Sequence, residues 1–158
     1  MGENKDEIVR SLKLPNPKKR QKAIIEIKKI IQQKMASLSG NAARDLLEPL
    51  QLLLRELLKD ENTEVYMEVL NLLKFIVGSL APQLSALDLH LMIGQFVSLT
   101  LVNASAVNMR VRVASDKVVI FFAKHASIGS FIVSKEVLKN IERINRSICG
   151  PAPASMTP

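Results

Sequence analysis

Apolar residues recur every three or four positions along two neighbouring stretches in the middle of the chain, which is the spacing of amphipathic helices. The first stretch is LLEPLQLLLRELL, from Leu46, and the second is VYMEVLNLLKFIVGSL, up to Leu80. The polar turn KDENTE lies between them. This pattern predicts a hairpin of two helices. Because neither helix can cover the whole apolar face of the other, the hairpin needs helical neighbours on both sides.

The same periodicity predicts five further helices, over about residues 4–12, 17–37, 85–102, 109–125 and 131–148. The first helix of the central hairpin starts near Asn41, or at Leu46 if Pro49 marks its first turn. Ser85 opens the fifth helix of the chain, and Asp88 three residues later makes a variant of the capping box.

A repeat is visible in the asparagines that suit the N-cap position. They stand at 16, 62 and 108, so that 62 − 16 and 108 − 62 both equal 46, and Pro17 follows the first of them at a position where its missing N–H costs nothing. Apolar columns keep the same register: Ile27, Leu73 and Val119; Ile30, Ile76 and Phe122; Ile31, Val77 and Ala123. A period of roughly 40 to 47 residues with two helices per unit is typical of HEAT and armadillo arrays.

The sequence therefore predicts an all-α solenoid of about seven helices in three and a half repeats, over residues 1–148. The asparagine-capped helices should form one layer of this solenoid. Residues 149–158 are rich in proline and small residues, which predicts a disordered tail or linker.

Composition agrees with a helical domain. The 158 residues are 47% hydrophobic but only 4% aromatic, with no tryptophan, so the core is expected to be aliphatic. A single cysteine excludes an internal disulfide and fits a reducing compartment. Charges such as Lys59 and Lys74 interrupt the apolar stretches, and the N-terminus lacks a signal-peptide pattern. We therefore expect no stretch long enough to span a membrane, no membrane partner and a cytoplasmic location.

The net charge of +7 is distributed unevenly along the chain. Residues 1–40 carry ten basic and four acidic side chains (+6), residues 41–99 carry four and eight (−4), and residues 100–158 carry eight and three (+5). Nucleic-acid-binding proteins usually present one continuous basic face. Because an acidic block interrupts it here, the pattern argues against a nucleic-acid partner.

The order LLEPLQLLLRELL, DENTE, VYMEVLNLLKFIVGSL resembles the HEAT pattern, in which two helices meet at a short polar turn, and VNMRVRVASDKVV resembles the start of the second HEAT helix. Within that superfamily, NPKKRQKAIIEIKKII is similar to the first repeat of tubulin-binding TOG domains. The resemblance covers about residues 4–147. It implies a non-catalytic protein–protein interaction module in a cytoskeletal, ciliary or centrosomal protein.

Two features depart from the TOG pattern. TOG domains commonly carry a tryptophan in the first turn, where this chain has Asn16-Pro17-Lys18, and their full array is about twice as long. A fragment, a reduced version and a partner other than tubulin therefore stay open as alternatives.

The turns within the repeats, at 14–20, 59–64 and 103–112, should lie along one edge of the solenoid, the edge that meets tubulin in TOG-like proteins. Cations in the first turn of a helix oppose its macrodipole, so local helix stability does not explain their presence. We predict that this edge contacts tubulin or another acidic protein surface. The predicted partner-binding residues are Pro17, Lys18, Lys19, Arg20, Asn62, Asn108, Arg110 and Arg112.

The basic side chains of these turns have two other possible roles. They are either solvated charges without a partner, or they stabilise the array. Arg20 and Arg112 both stand four residues past their caps, where HEAT arginines often bond between repeats. Asp116 lies four residues after Arg112 and could pair with it on one helix. We favour a structural ladder for the two arginines, and predict structural roles for Asn16 and Asp116.

No catalytic pattern is present in the sequence. His90 and His125 lie on different predicted helices without a nearby carboxylate or cysteine pattern, and no phosphate loop, zinc spacing or nucleophile elbow occurs. We expect no enzymatic activity, no cofactor and no metal. The alternative to turn-edge binding is a scaffold that docks other subunits through a helical face. The final helix has an apolar face without a following helix to cover it, at Val137, Leu138, Ile141 and Ile144.

Overall fold

The computed structural model describes residues 2–38, 40–104 and 106–150. Seven helices build this part of the chain, and no strand occurs in it. Their bounds are α1 (Gly2–Leu12), α2 (Pro17–Met35), α3 (Gly40–Leu57), α4 (Thr63–Leu80), α5 (Ala86–Ala104), α6 (Met109–Lys124) and α7 (Ser130–Cys149). The predicted all-α class is confirmed. Cys149, the first residue of the predicted tail, ends α7, and residues 151–158 lie outside the described residues.

The helices form two layers, as expected for a solenoid of hairpins. α2, α4 and α6 pack side by side in one layer, which confirms the predicted layer of asparagine-capped helices. α5 packs between α3 and α7 in the other layer, and α1 covers α2. The hairpins α1–α2, α3–α4 and α5–α6 are three repeats, and α7 begins a fourth by packing on α5 and α6.

All three predicted N-caps are present. The side-chain oxygens of Asn16, Asn62 and Asn108 accept hydrogen bonds from the backbone N–H two residues further on, at 3.0, 3.1 and 2.9 Å. Each cap satisfies at least one of the donors that the first turn of a helix leaves without a partner, and Asn62 satisfies two. The 46-residue spacing in the sequence is therefore the spacing of equivalent helix starts.

Two other helix starts also follow from the sequence. The Ser85 hydroxyl accepts from the backbone N–H of Asp88 at 3.1 Å and donates to its carboxylate at 2.8 Å, so the predicted capping-box variant is confirmed. α3 begins at Gly40, near the earlier of the two predicted starts. Pro49 consequently lies inside α3, where its ring removes one backbone hydrogen bond.

The core is centred on α4, half of whose 18 residues are buried. In the predicted apolar columns the central members, Leu73, Ile76 and Val77, are fully buried, whereas several members from the outer repeats are half-buried. α4 is covered by a neighbour on each side of its layer and by α3 beneath it. The central repeat therefore has the most complete packing.

The expectation that no apolar stretch is long enough to span a membrane is wrong. By length and hydropathy alone, Thr63–Gln83 and Ala86–Asn103 both qualify. Isolated charges such as Lys74 do not lower the mean hydropathy of these helices enough to disqualify them. The core helix of a soluble protein passes the same test, and 56% of the first segment is buried inside the array. Two such helices are therefore weak support for a membrane span.

One polar network lies within the apolar core, between the second and third repeats. The Tyr66 hydroxyl lies 3.2 Å from the Ser115 hydroxyl and accepts a hydrogen bond from the Asn103 amide at 3.1 Å. Ser115 in turn donates to the carbonyl of Val111 at 2.8 Å. Burial raises the pKa of Tyr66 above its ordinary value, because the interior disfavours the phenolate.

This network predicts that the protein loses stability in alkali. Between the ordinary pKa of tyrosine, near 10, and the raised pKa of folded Tyr66, the unfolded chain releases a proton that the folded chain retains, so the free energy of unfolding falls as pH rises. We expect a steeper fall for the unsubstituted protein than for Tyr66→Phe between about pH 9 and 11. Urea unfolding followed by circular dichroism measures both slopes, and identical slopes would contradict the burial of this phenol.

Candidate functional site

The turns within the three repeats lie along one edge of the solenoid, here called the turn edge and defined as residues 13–20, 58–64 and 106–112. Side-chain bonds join the middle turn to its neighbours on both sides. Arg20 reaches Asp60, and Arg110 reaches Glu64, 46 residues earlier in the chain. The predicted placement of the turns along one edge therefore follows from direct contacts between them.

Arg20 is the most completely bonded cation of the turn edge. Its Nε and Nη2 donate to the two carboxylate oxygens of Asp60 at 2.8 and 3.2 Å, and its Nη1 donates to the carbonyls of Leu14 and Pro15. The Arg20 and Asp60 side chains are only 18% and 13% exposed. This geometry agrees with the structural role favoured for Arg20 and leaves the guanidinium few donors for a partner.

The bonds between the second and third turns are more exposed. Arg110 donates to Glu64 at 2.7 Å, with 63% and 56% of these side chains exposed. The Asn108 amide donates to the Thr63 hydroxyl at 3.0 Å while its oxygen caps α6. Asn62 likewise uses its side-chain oxygen to cap α4. Arg110 is therefore an accessible cation at the bond between these turns, and the two asparagines are held by their caps.

Arg112 and Asp116 could pair by their spacing, but they do not. Both lie on α6, where Arg112 is half-buried and Asp116 is exposed, and no ion pair forms between them. An acidic residue stabilises a helix better when it precedes the basic one, and here the order is reversed. The ion pair between the turns of the second and third repeats is made by Arg110 instead. Tyr66 occupies the position equivalent to Arg20 and Arg112 in the second repeat.

Lys18 and Lys19 are exposed at the second and third positions of α2, after Pro17, which is half-buried. Neither ammonium group has an ion-pair partner in the described part of the chain. Lys18, Glu64 and Arg110 hold the same register in successive repeats, two residues past their caps. Because Arg110 already binds Glu64, Lys18 is the cation of this register without a carboxylate partner among the described residues, and Lys19 adds a second such cation next to it.

Sequence reasoning missed the apolar part of the turn edge. Val107 is fully exposed and Met109 is largely exposed, on the two sides of the cap Asn108. Met109 lines a shallow groove with Met67 and Val113. Valine and methionine next to an N-cap could have indicated this exposure, because an apolar residue in a tight polar turn has no core within reach.

The second half of α7 leaves the array. Val133 is buried and Val137 is half-buried against α5 and α6, but every residue from 141 to 150 is exposed. Exposed apolar side chains run along this segment, at Leu138, Ile141, Ile144 and Ile148. The apolar face that was expected to lack a covering helix is therefore open among the described residues.

Packing of α7 also supplies a carboxylate that the sequence did not place near His90. Glu136 is buried with its Oε1 3.5 Å from His90 Nε2 and 3.0 Å from Lys139 Nζ. This contact joins residues on different helices, which is why local spacing missed it. Within the described ranges, no group of three or more His, Cys, Asp or Glu side chains could hold a metal ion.

Comparison with known proteins identifies the fold. No family model matches the chain, and no curated protein does. Among solved structures, the TOG domain of human Cep104 is similar, with a TM-score of 0.65 and 18% sequence identity. The match covers 95% of this chain and 65% of that one. The fold is thus a TOG-like HEAT array, and the chain spans about two thirds of the TOG domain that it resembles.

The geometry predicts different energies for the two bonds of the turn edge. We expect Arg20→Ala to lower the free energy of unfolding by roughly 2 kcal/mol, because it leaves a shielded carboxylate without its charged donors. Arg110→Ala should cost only about 0–1 kcal/mol, since its pair is exposed to solvent. Urea unfolding of both variants, with double-mutant cycles to Asp60 and Glu64, measures the difference. Equal coupling energies would refute this assignment.

Proposed function

We propose that this chain is a TOG-like module that binds tubulin through its turn edge. The observation that supports the proposal most directly is the pair of exposed lysines, Lys18 and Lys19, in the first turn of a TOG-like fold. The sequence resembles the first repeat of tubulin-binding TOG domains at these same residues. Their position at a helix N-terminus is unfavourable for the helix itself, which favours a role in binding.

The charge balance along the turn edge supports an acidic partner. Two of the three carboxylates of the middle turn are paired, because Arg20 holds Asp60 and Arg110 holds Glu64, and the third, Glu61, is exposed. The lysines keep their charge available for a partner. Charges of this kind steer encounter and set its salt dependence more than they add affinity, so exposed apolar residues such as Val107 and Met109 are candidates for additional contact.

On this proposal the chain belongs to a cytoskeletal protein, with a centrosome or cilium as its place of action. The structure that resembles this chain is the TOG domain of human Cep104, which is 18% identical to it in sequence. The activity proposed here is non-catalytic binding.

Charge reversal at the first turn provides the test. We expect Lys18→Glu/Lys19→Glu to reduce co-elution with free tubulin by about tenfold or more at low ionic strength, because it replaces two attractive charges by two repulsive ones. Melting should be unchanged or slightly higher, since carboxylates suit the first turn of a helix.

The matched control is Lys124→Glu/Lys135→Glu, which changes the net charge by the same amount at exposed lysines away from the turn edge. It should bind as the unsubstituted protein does. If both variants lost tubulin binding equally, the loss would come from net charge and not from the position of the lysines. If the unsubstituted protein did not bind, tubulin would be excluded as the partner. If Ile144→Asp abolished binding and the turn reversal did not, docking through α7 would replace the proposal.

A further inference from the structure

We propose that a groove across the layer of α3, α5 and α7 is a second interaction surface, which takes an acidic segment of a partner protein. The groove lies on a different part of the molecule from the turn edge and has a volume of about 440 Å³. That volume suits a few side chains of an inserted segment rather than a folded domain. The proposal does not depend on tubulin binding.

Small residues of α5 form the base of the groove. Gly94 lets α7 approach so closely that a Cβ there would lie 3.0 Å from the Glu136 carboxylate carbon. Ser98, one turn further along α5, accepts a hydrogen bond from the Asn140 amide at 3.1 Å. These contacts hold α5 and α7 in a fixed relation, so the groove is formed without a ligand.

Cations from two different helices line the groove. Arg55 of α3 contacts the side-chain amide of Gln95, which is uncharged. Arg143 of α7 has no ion-pair partner in the part of the chain that the structure describes. Lys139 and His90 both face Glu136, the single carboxylate of the lining. Two guanidinium groups therefore lack a carboxylate partner of their own.

This arrangement fits carboxylates with an apolar side chain among them. Guanidinium groups bind carboxylates in a bidentate manner and are used for this purpose at interfaces. Leu91 is largely exposed and Leu99 is half-buried at the same groove, so an apolar side chain of the ligand would find a surface to cover. A protein segment offers both groups, whereas a nucleic acid has no aliphatic side chain to cover Leu91 and Leu99.

The test uses a fluorescein-labelled peptide of glutamates around one central leucine, titrated with the whole chain and followed by fluorescence anisotropy. We expect Arg55→Glu/Arg143→Glu to weaken peptide binding by about tenfold or more and to leave tubulin co-elution unchanged. The first-turn reversal, Lys18→Glu/Lys19→Glu, changes net charge equally and should leave peptide binding nearly intact. Replacing the peptide leucine by alanine should weaken binding further.

Three outcomes would overturn the proposal: no binding of the peptide, equal weakening by both charge reversals, or tighter binding of a single-stranded oligonucleotide of the same charge that displaces the peptide from the groove. The milder Arg55→Gln/Arg143→Gln variant, with melting measured alongside, separates loss of binding from loss of fold. Because tubulin co-elution is measured on the same variants, failure of the groove and failure of the turn edge give different results.

Discussion

The width of the apolar face of α4 is the constraint on which the rest of this structure depends. Half of the helix is buried, and α3 alone covers only part of that surface. Removing apolar surface from water dominates the free energy of folding, so the remaining surface must be covered by α2 and α6. α2 and α6 also have apolar surface that α4 does not cover, and further helices must bury it. The chain therefore continues as an array instead of ending after one hairpin.

Polar groups fix the position of each helical hairpin along its neighbour, which apolar packing alone does not determine. Apolar faces allow one helix to slide along another, whereas the bonds of Arg20 to Asp60 and Arg110 to Glu64 join single atoms at the ends of adjacent hairpins. Inside the core, Tyr66 and Ser115 make a comparable link between the second and third repeats. These bonds lie near the starts of the capped helices, so the contacts that align the repeats also bring their turns to a common edge.

Local chemistry explains what could be predicted from the sequence. The caps at Asn16, Asn62 and Asn108 depend on a side chain and the backbone two residues later, so their spacing revealed both the repeat and the layer. Contacts between helices could not be predicted in this way. Asp116 is a plausible partner for Arg112 by spacing, but the observed bond comes from Arg110 to Glu64 in another repeat. His90 meets Glu136 for the same reason, through the packing of α5 on α7.

The same distinction explains why the function of a charge is difficult to assign from its position in the sequence. Lys18 and Arg110 hold equivalent positions in the repeat, yet Arg110 has a carboxylate partner at 2.7 Å and Lys18 has none in the described chain. Periodicity identifies equivalent places, but the acidic middle turn decides which cations remain free. A cation that opposes the macrodipole of its own helix and has no internal partner adds little to stability. The proposed binding of an external anion would account for such a residue, whereas the bonds of Arg20 to Asp60 already account for Arg20.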